Sequence, residues 1–218
     1  MKEIRIQEVG NVRIGQAEDK TAGTGVTVII SDSGMGAGLD VRGGGPASRE
    51  SQVLNPLMAA EVIHAVVLGG GSAFGLDAAG GVMQYLEEHD IGFDVGVTKV
   101  PLVSQADIFD LAVGDSTVRP DKAMGYSAAK NSENGGNYQD GCYGAGTGAT
   151  VGKARLGESA MKSGIGSYAV ELGDLRVGAI VVVNALGDVY DETGKEVAGL
   201  IKLDRSGLES SEDVLLSR

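Results

Sequence analysis

Residues 141–153 read GCYGAGTGATVGK. Glycines at 141, 144, 146, 148 and 152 alternate with small residues and lead to one lysine, Lys153. Neither a helical nor a strand period of apolar residues runs through the stretch, so it reads as a loop. Glycine permits positive φ and lets other groups approach the main chain closely. Two readings follow from the residues alone. The stretch is a tightly packed glycine turn with Lys153 in solvent, or a loop whose N–H groups face an anion or a developing oxyanion. Known phosphate loops fit poorly. Gly144, Gly146 and Ala149 have the spacing of a dinucleotide-binding turn, but residues 131–142 before them are polar and turn-rich rather than a strand. A Walker loop fails too, with Thr147 where its first glycine belongs and Ala154 after the lysine.

Working outward, 36 glycines, six Tyr, three Phe and no Trp in 218 residues imply an aliphatic core with close backbone packing. The length suits one large domain or two small ones, and with no repeat or change of composition to mark a linker, 1–218 is read as a single domain. A net charge of −12 disfavours nucleic acid and anionic membrane surfaces as partners. The chain opens MKEIRIQ without an apolar targeting segment, and no apolar run is long enough to cross a bilayer. A single cysteine, Cys142, forms no internal disulfide and fits a reducing, cytoplasmic setting. With no neighbouring base in the sequence it reads as a small buried filler. No CxxC, HExxH or His/Cys/carboxylate cluster suggests a metal, and no cofactor is expected.

Residues 12–16 and 25–31 (GVTVIIS) read as strands, 37–42 as a further short strand, and 43–50 (GGGPASRE) as a loop bordering a pocket or simply solvated. Residues 63–68 (IHAVVL) form a compact strand. Ser72 is expected to cap a helix running to about His89, with Leu76, Ala79, Met83 and Leu86 on one face. GGSAF at 70–74 resembles a nucleophile elbow until Phe74 replaces the last glycine, so hydrolase chemistry at Ser72 is set aside. His64 reads as a hydrogen-bonded core residue and His89 as a helix-end cation. Residues 93–103 read as a strand region broken at Gly96, 106–111 and 120–131 as short helices, and 164–171 with 175–184 as a hairpin around Gly173 and Asp174. The run 177–183 (VGAIVVV) is nearly continuous apolar and is expected to be a central strand buried on both faces. Asn184 at its end is either a turn residue or a site residue. A carboxamide there needs partners, or it costs about 1–3 kcal/mol. Residues 203–218 read as a surface segment or linker.

Taken together, VRGGGPASRE at 41–50, GAGTGATVGK at 144–153, MKSGIGSYAVELGD at 161–174 and VGAIVVVNALGDVYD at 177–191 resemble the L-aminopeptidase/D-esterase family. That family includes the β-peptidyl aminopeptidases and, more distantly, nylon-oligomer hydrolases. The blocks run in order over most of the chain. The resemblance implies an α+β fold, a four-layer αββα sandwich of the N-terminal-nucleophile type. It also implies a precursor that cuts itself before a Ser, Thr or Cys, whose freed α-amine then serves as general base. The family's nucleophile strand follows a linker after the VNALGD-like block. This chain is therefore expected to be the large α fragment, completed by a separate β chain that carries the nucleophile. Ser167, after Gly166, is the internal rival, but in the family that hairpin strand is not the cut site.

By the same resemblance Asn184 is expected to be the oxyanion-hole amide, and Lys153 the lysine that keeps the nucleophile's amine neutral. Gly144, Gly146, Thr147 and Gly148 would line the pocket with backbone groups. Substrate contacts fall on Gln105, Asp107 and Phe109 within 101–110 (PLVSQADIFD). Family members that trim free amino termini carry an acid and a Tyr in about this region. One carboxylate and no phenol here put the aminopeptidase label in question. From the residues alone, Asp107 and Asp110 read as a solvated helix face. The expected partners are a β-chain fragment of the same precursor and a peptide or small amide substrate, in a tetramer of αβ units. Two other functions stay open: acyl transfer of the ornithine acetyltransferase type, and a non-catalytic binding protein on the same fold.

Overall fold

The computed structural model describes residues 1–155 and 159–217. Its main elements are β1 (Lys2–Ile4), β2 (Arg13–Asp19), β3 (Thr24–Met35), β4 (Ala47–Arg49), β5 (Ile63–Gly69), α1 (Ala78–Glu88), β6 (Val103–Asp107), α2 (Lys122–Lys130), β7 (Ile165–Leu172), β8 (Leu175–Val182) and α3 (Ser211–Leu216). Five strands form one sheet in the order β2-β3-β5-β6-β4, antiparallel except for the β5–β6 pair. Side chains alternate between the two faces of a strand, and here each set has its own partner. Val26, Val28 and Ile30 join Ala65, Val67 and Val103 against α1 and α2, packed on Val82, Leu86 and Ala128. Ile29 and Leu68, in the opposite phase, join Ile14 against a second sheet, where Ile165, Ala169, Ile180 and Val182 meet them. That sheet is β1-β7-β8, antiparallel throughout. Helices, large sheet and small sheet are thus stacked as three layers.

The two helices cross on glycines. A Cβ on Gly81 would lie 1.8 Å from the Lys122 carbonyl oxygen, and one on Gly125 2.0 Å from that of Ala78. Backbone meets backbone there, so no side chain can move aside. Gly125→Ala is expected to destabilise the fold by at least about 1–3 kcal/mol, the usual cost of overpacking, read as a lower denaturant midpoint with unchanged m. An unchanged midpoint would show that the helices separate freely.

The hairpin expected around Gly173 and Asp174 forms with Leu172 opposite Leu175. The run 177–183, however, is not a central strand buried on both faces. β8 lies at the edge of the small sheet, and Val177 and Val181 are each 53% exposed. Its inward residues, Ile180 and Val182, pack on the core. Its outward residues share a bare face with Tyr168 and Leu172 of β7. An apolar cavity of about 300 Å³ also opens between the sheets, walled by Ile29, Val66, Leu68 and Ile180.

Other expectations shift as well. Residues 37–42 form no strand, and the short strand is β4, inside the stretch read as a loop. Ser72 does not cap a helix with its side chain; it begins a 3-10 turn, Ser72–Asp77, ahead of α1. Residues 106–111 are not helical, because β6 continues through Asp107 beside β5. Asp121 caps α2 by accepting the Met124 N–H at 2.9 Å. The surface segment expected at 203–218 includes α3, whose buried Ser211 is anchored by its N–H and hydroxyl to the Asp188 carboxylate; Arg218 lies outside the described residues. No described helix is long and apolar enough to cross a membrane.

Candidate active site

Asn184 sits just beyond β8, half-buried, and each polar atom of its carboxamide has a defined neighbour. Its Oδ1 accepts from the Lys153 ammonium at 2.8 Å and from the Thr150 N–H at 3.1 Å. Its Nδ2 donates to the Phe109 carbonyl at 3.0 Å. Two donors on the oxygen fix which way round the amide lies, since a flip would set its NH2 against an ammonium and an N–H. The apolar strand thus ends in an oriented donor group, held by a cation on its far side.

Lys153 spends its three N–H bonds on Thr150 O, Asn184 O and Asn184 Oδ1, at 2.9, 2.9 and 2.8 Å. Burial lowers the pKa of this ammonium below the usual lysine value. The lysine is therefore not the solvated end of a loop. It ties the glycine stretch to the bend after β8, reinforced by its own N–H on the Leu186 carbonyl at 2.7 Å.

The glycine stretch threads through the interior. Every residue from Gly144 to Thr150 is buried. A Cβ on Gly146 would lie 2.3 Å from the Ile165 nitrogen, and one on Gly148 2.2 Å from the Gly23 carbonyl oxygen. Close packing explains both glycines. Most of its N–H groups are used internally: Gly144 on Glu18, Ala145 on Thr27, Gly146 on the Tyr143 carbonyl, Thr147 on the Gly144 carbonyl, Ala149 on the Gly146 carbonyl and Thr150 on Asn184. The N–H of Gly148 has no acceptor among the described residues. The loop is thus a buried support beneath Asn184, with Gly148 as its spare donor.

The segment after β6 comes to the same place. The Ile108 N–H donates to the Gly69 carbonyl at 2.8 Å and the Ser72 N–H to the Ile108 carbonyl at 3.0 Å. Asp110 is 3% exposed and accepts from Gly71 N at 2.6 Å and Thr24 Oγ1 at 2.8 Å. These bonds hold the Phe109 carbonyl that receives Asn184, while the Phe109 ring is 54% exposed. Gln105 and Asp107 share the strand face of Val103, toward the helices. The Gln105 side chain accepts the Ala79 N–H and donates to Gly75 O and Asp107 Oδ1, which commits it to the start of α1. Asp107 is no solvated helix residue: its Oδ2 is buried without a hydrogen-bond partner. Burial raises its pKa to about 7, with the Asp110 charge adding to the rise and the Gln105 bond opposing it.

Other candidates fall away from this cluster. Ser167 Oγ donates to Asp140 Oδ1 at 3.0 Å, which also accepts from the Tyr138 hydroxyl. Cys142 is exposed rather than a buried filler. His64 is buried and accepts the Leu102 N–H on Nδ1 at 3.1 Å, and burial lowers its pKa. Sequence reasoning missed Lys162. Its ammonium donates to the Thr147 carbonyl at 2.5 Å and the Ala149 carbonyl at 3.3 Å.

The profile of peptidase family S58 matches residues 5–206. The chain belongs to peptidase family S58. Among similar proteins, an uncharacterized aminopeptidase of Mycobacterium leprae is 45% identical over 172 residues, 77% of this chain and 46% of its own length. A 6-aminohexanoate-oligomer endohydrolase of Agromyces sp. is 34% identical over 188 residues, 86% of this chain and 50% of its own length. Among solved structures, the L-aminopeptidase D-Ala-esterase/amidase of Ochrobactrum anthropi, described as a variant of the Ntn hydrolase fold, superposes with a TM-score of 0.63. It is 20% identical, over 82% of this chain and 52% of that one. The fold of this S58 chain is therefore of the Ntn-hydrolase kind, and the chain spans about half the length of the curated relatives it matches.

Proposed function

We propose that this chain supplies the oxyanion site of an autoprocessed amide hydrolase, with the nucleophile on a separate β chain cut from the same precursor. The observation that carries the reading is the Asn184 carboxamide, oriented by Lys153 and Thr150 so that its Nδ2 faces away from both. A nucleophilic Ser, Thr or Cys at a new N-terminus passes its proton to its own α-amine and attacks the substrate's amide carbon. The carbonyl oxygen becomes an oxyanion, which Asn184 Nδ2–H stabilises. The protonated amine then gives its proton to the leaving nitrogen, and water releases the acyl group. Lys153 adds positive potential beside the amine, favouring its neutral form. Gly148 N–H is the loop's candidate for a second donor.

Three observations support the β chain as partner. β8 has a free edge among the described strands, the outward face of β7 and β8 is apolar and exposed, and the relatives are about twice as long. A strand added to that edge, with a helix over that face, would close the four-layer αββα sandwich. Exposed Leu39, Leu57 and Val97 offer apolar contacts for assembling αβ units into a tetramer. The substrate is a peptide or small amide, and the setting cytoplasmic.

Quenching the full-length protein in acid during turnover of an aminoacyl p-nitroanilide, then mapping the acyl adduct by tandem mass spectrometry, tests this reading. The adduct is expected on an N-terminal Ser, Thr or Cys outside residues 1–218. An adduct on Ser167 or Cys142 would overturn it.

A further inference from the structure

We infer that Lys162 is a positioning residue for Asn184, acting through the peptide that joins Ala149 to Thr150. The inference rests on the oxyanion role proposed for Asn184. Lys162 lies in a two-residue strand, Met161–Lys162, paired antiparallel with Thr150–Val151, so that Lys162 stands opposite Thr150. That register returns its ammonium to the glycine stretch, where it holds the Thr147 and Ala149 carbonyls.

A trans peptide carries its C=O and the following N–H on opposite sides. Lys162 occupies the oxygen end of the 149–150 peptide, and its nitrogen end, Thr150 N–H, donates to Asn184 Oδ1 at 3.1 Å. The ammonium, the peptide and the carboxamide therefore form one chain of hydrogen bonds, in which a charge at one end polarises the next bond along. Lys153 reaches the same Oδ1 directly. Two cations thus fix one amide, one by contact and one through the main chain. The second contact of Lys162, to the Thr147 carbonyl, sets the 147–148 peptide in the same way and turns the unpartnered Gly148 N–H away from the lysine.

Lys162 touches no reacting atom, so its effect must pass through Asn184. A double-mutant cycle in the full-length protein reads this directly. With an aminoacyl p-nitroanilide as probe, Lys162→Met is expected to lower kcat about tenfold with KM within twofold. Removing the oxyanion donor itself costs about 10²–10³. Lys162→Arg should restore most of the loss, because a guanidinium can still donate to both carbonyls. In the Asn184→Ala background Lys162→Met should cost less than twofold. An equal loss in both backgrounds, or a kcat within twofold of the parent for Lys162→Met alone, overturns the inference while leaving the oxyanion role intact. Unchanged kinetics in Asn184→Ala alone would instead refute the oxyanion role. Thermal unfolding of Lys162→Met within a few degrees of the parent, expected for an exposed lysine, separates positioning from misfolding.

Discussion

Asn184→Ala is expected to lower kcat for amide hydrolysis by about 10²–10³, with little change in KM, because the lost hydrogen bond strengthens only as charge develops on the carbonyl oxygen. Self-cleavage should slow by a similar factor, since cutting the precursor is also an acyl transfer through a tetrahedral oxyanion. The side chain is half-buried and faces Lys153 and the Phe109 carbonyl rather than the hydrophobic core, so its removal should leave the fold standing. Asn184→Asp makes the sharper comparison. It keeps the shape and gives Lys153 a better partner, but brings a negative charge and no donor to the oxyanion. It should be at least as inactive as the alanine variant, while the stronger pairing with Lys153 is offset by the loss of the hydrogen bond to the Phe109 carbonyl, against which a carboxylate oxygen has no proton to give. If Asn184→Asp kept most of the activity, the site would have to be sought elsewhere.

Asp107→Asn should raise stability by an amount that grows as pH rises from the ordinary carboxylate value toward 7 and is constant above it. The Asp107 carboxyl titrates near 7 in the folded protein against an ordinary 3.8, mainly because it is buried. Between those values the folded state binds more protons than the unfolded one, so this group makes stability fall as pH rises through the window. At about 1.4 kcal/mol per unit, the penalty above pH 7 is roughly 4 kcal/mol at most. Asparagine can still accept from Gln105 through its oxygen and has no charge to desolvate. Unfolding free energies of parent and variant, taken from denaturant midpoints and m-values, should therefore lie close at pH 4 and differ by about 2–4 kcal/mol at pH 8.5. Equal midpoints at both pH values would mean that Asp107 is well solvated or paired when folded. The same carboxyl is an expected substrate contact, so a gain in stability with a loss of substrate affinity would mark it as strain kept for function.

The strands of the large sheet were legible where their two faces alternate, as in GVTVIIS, and the second hairpin where Gly173 and Asp174 interrupt two apolar runs. α2 announced itself through Pro120 just before its start. Errors arose where local pattern and tertiary setting disagree. ADIFDL at 106–111 reads as a short helix, yet Ala106 and Asp107 are drawn into the sheet beside β5. VGAIVVV looks doubly buried because both of its faces are apolar, although one of them is bare in this chain. Asn184 stood out as an amide at the end of an apolar strand, and the glycine spacing pointed to a crowded backbone. Lys162 gave no such sign, because its importance depends on the register that sets it opposite Thr150. The orientation of the Asn184 amide was likewise invisible, being set by a lysine 31 positions away.

The central claim is that Asn184 waits on a nucleophile delivered by a second polypeptide. Intact-mass analysis of the active, purified full-length protein, with N-terminal sequencing of each polypeptide, tests it most directly. Two polypeptides are predicted, the larger containing Asn184 and the smaller beginning with Ser, Thr or Cys. A single uncut polypeptide of undiminished activity would contradict it.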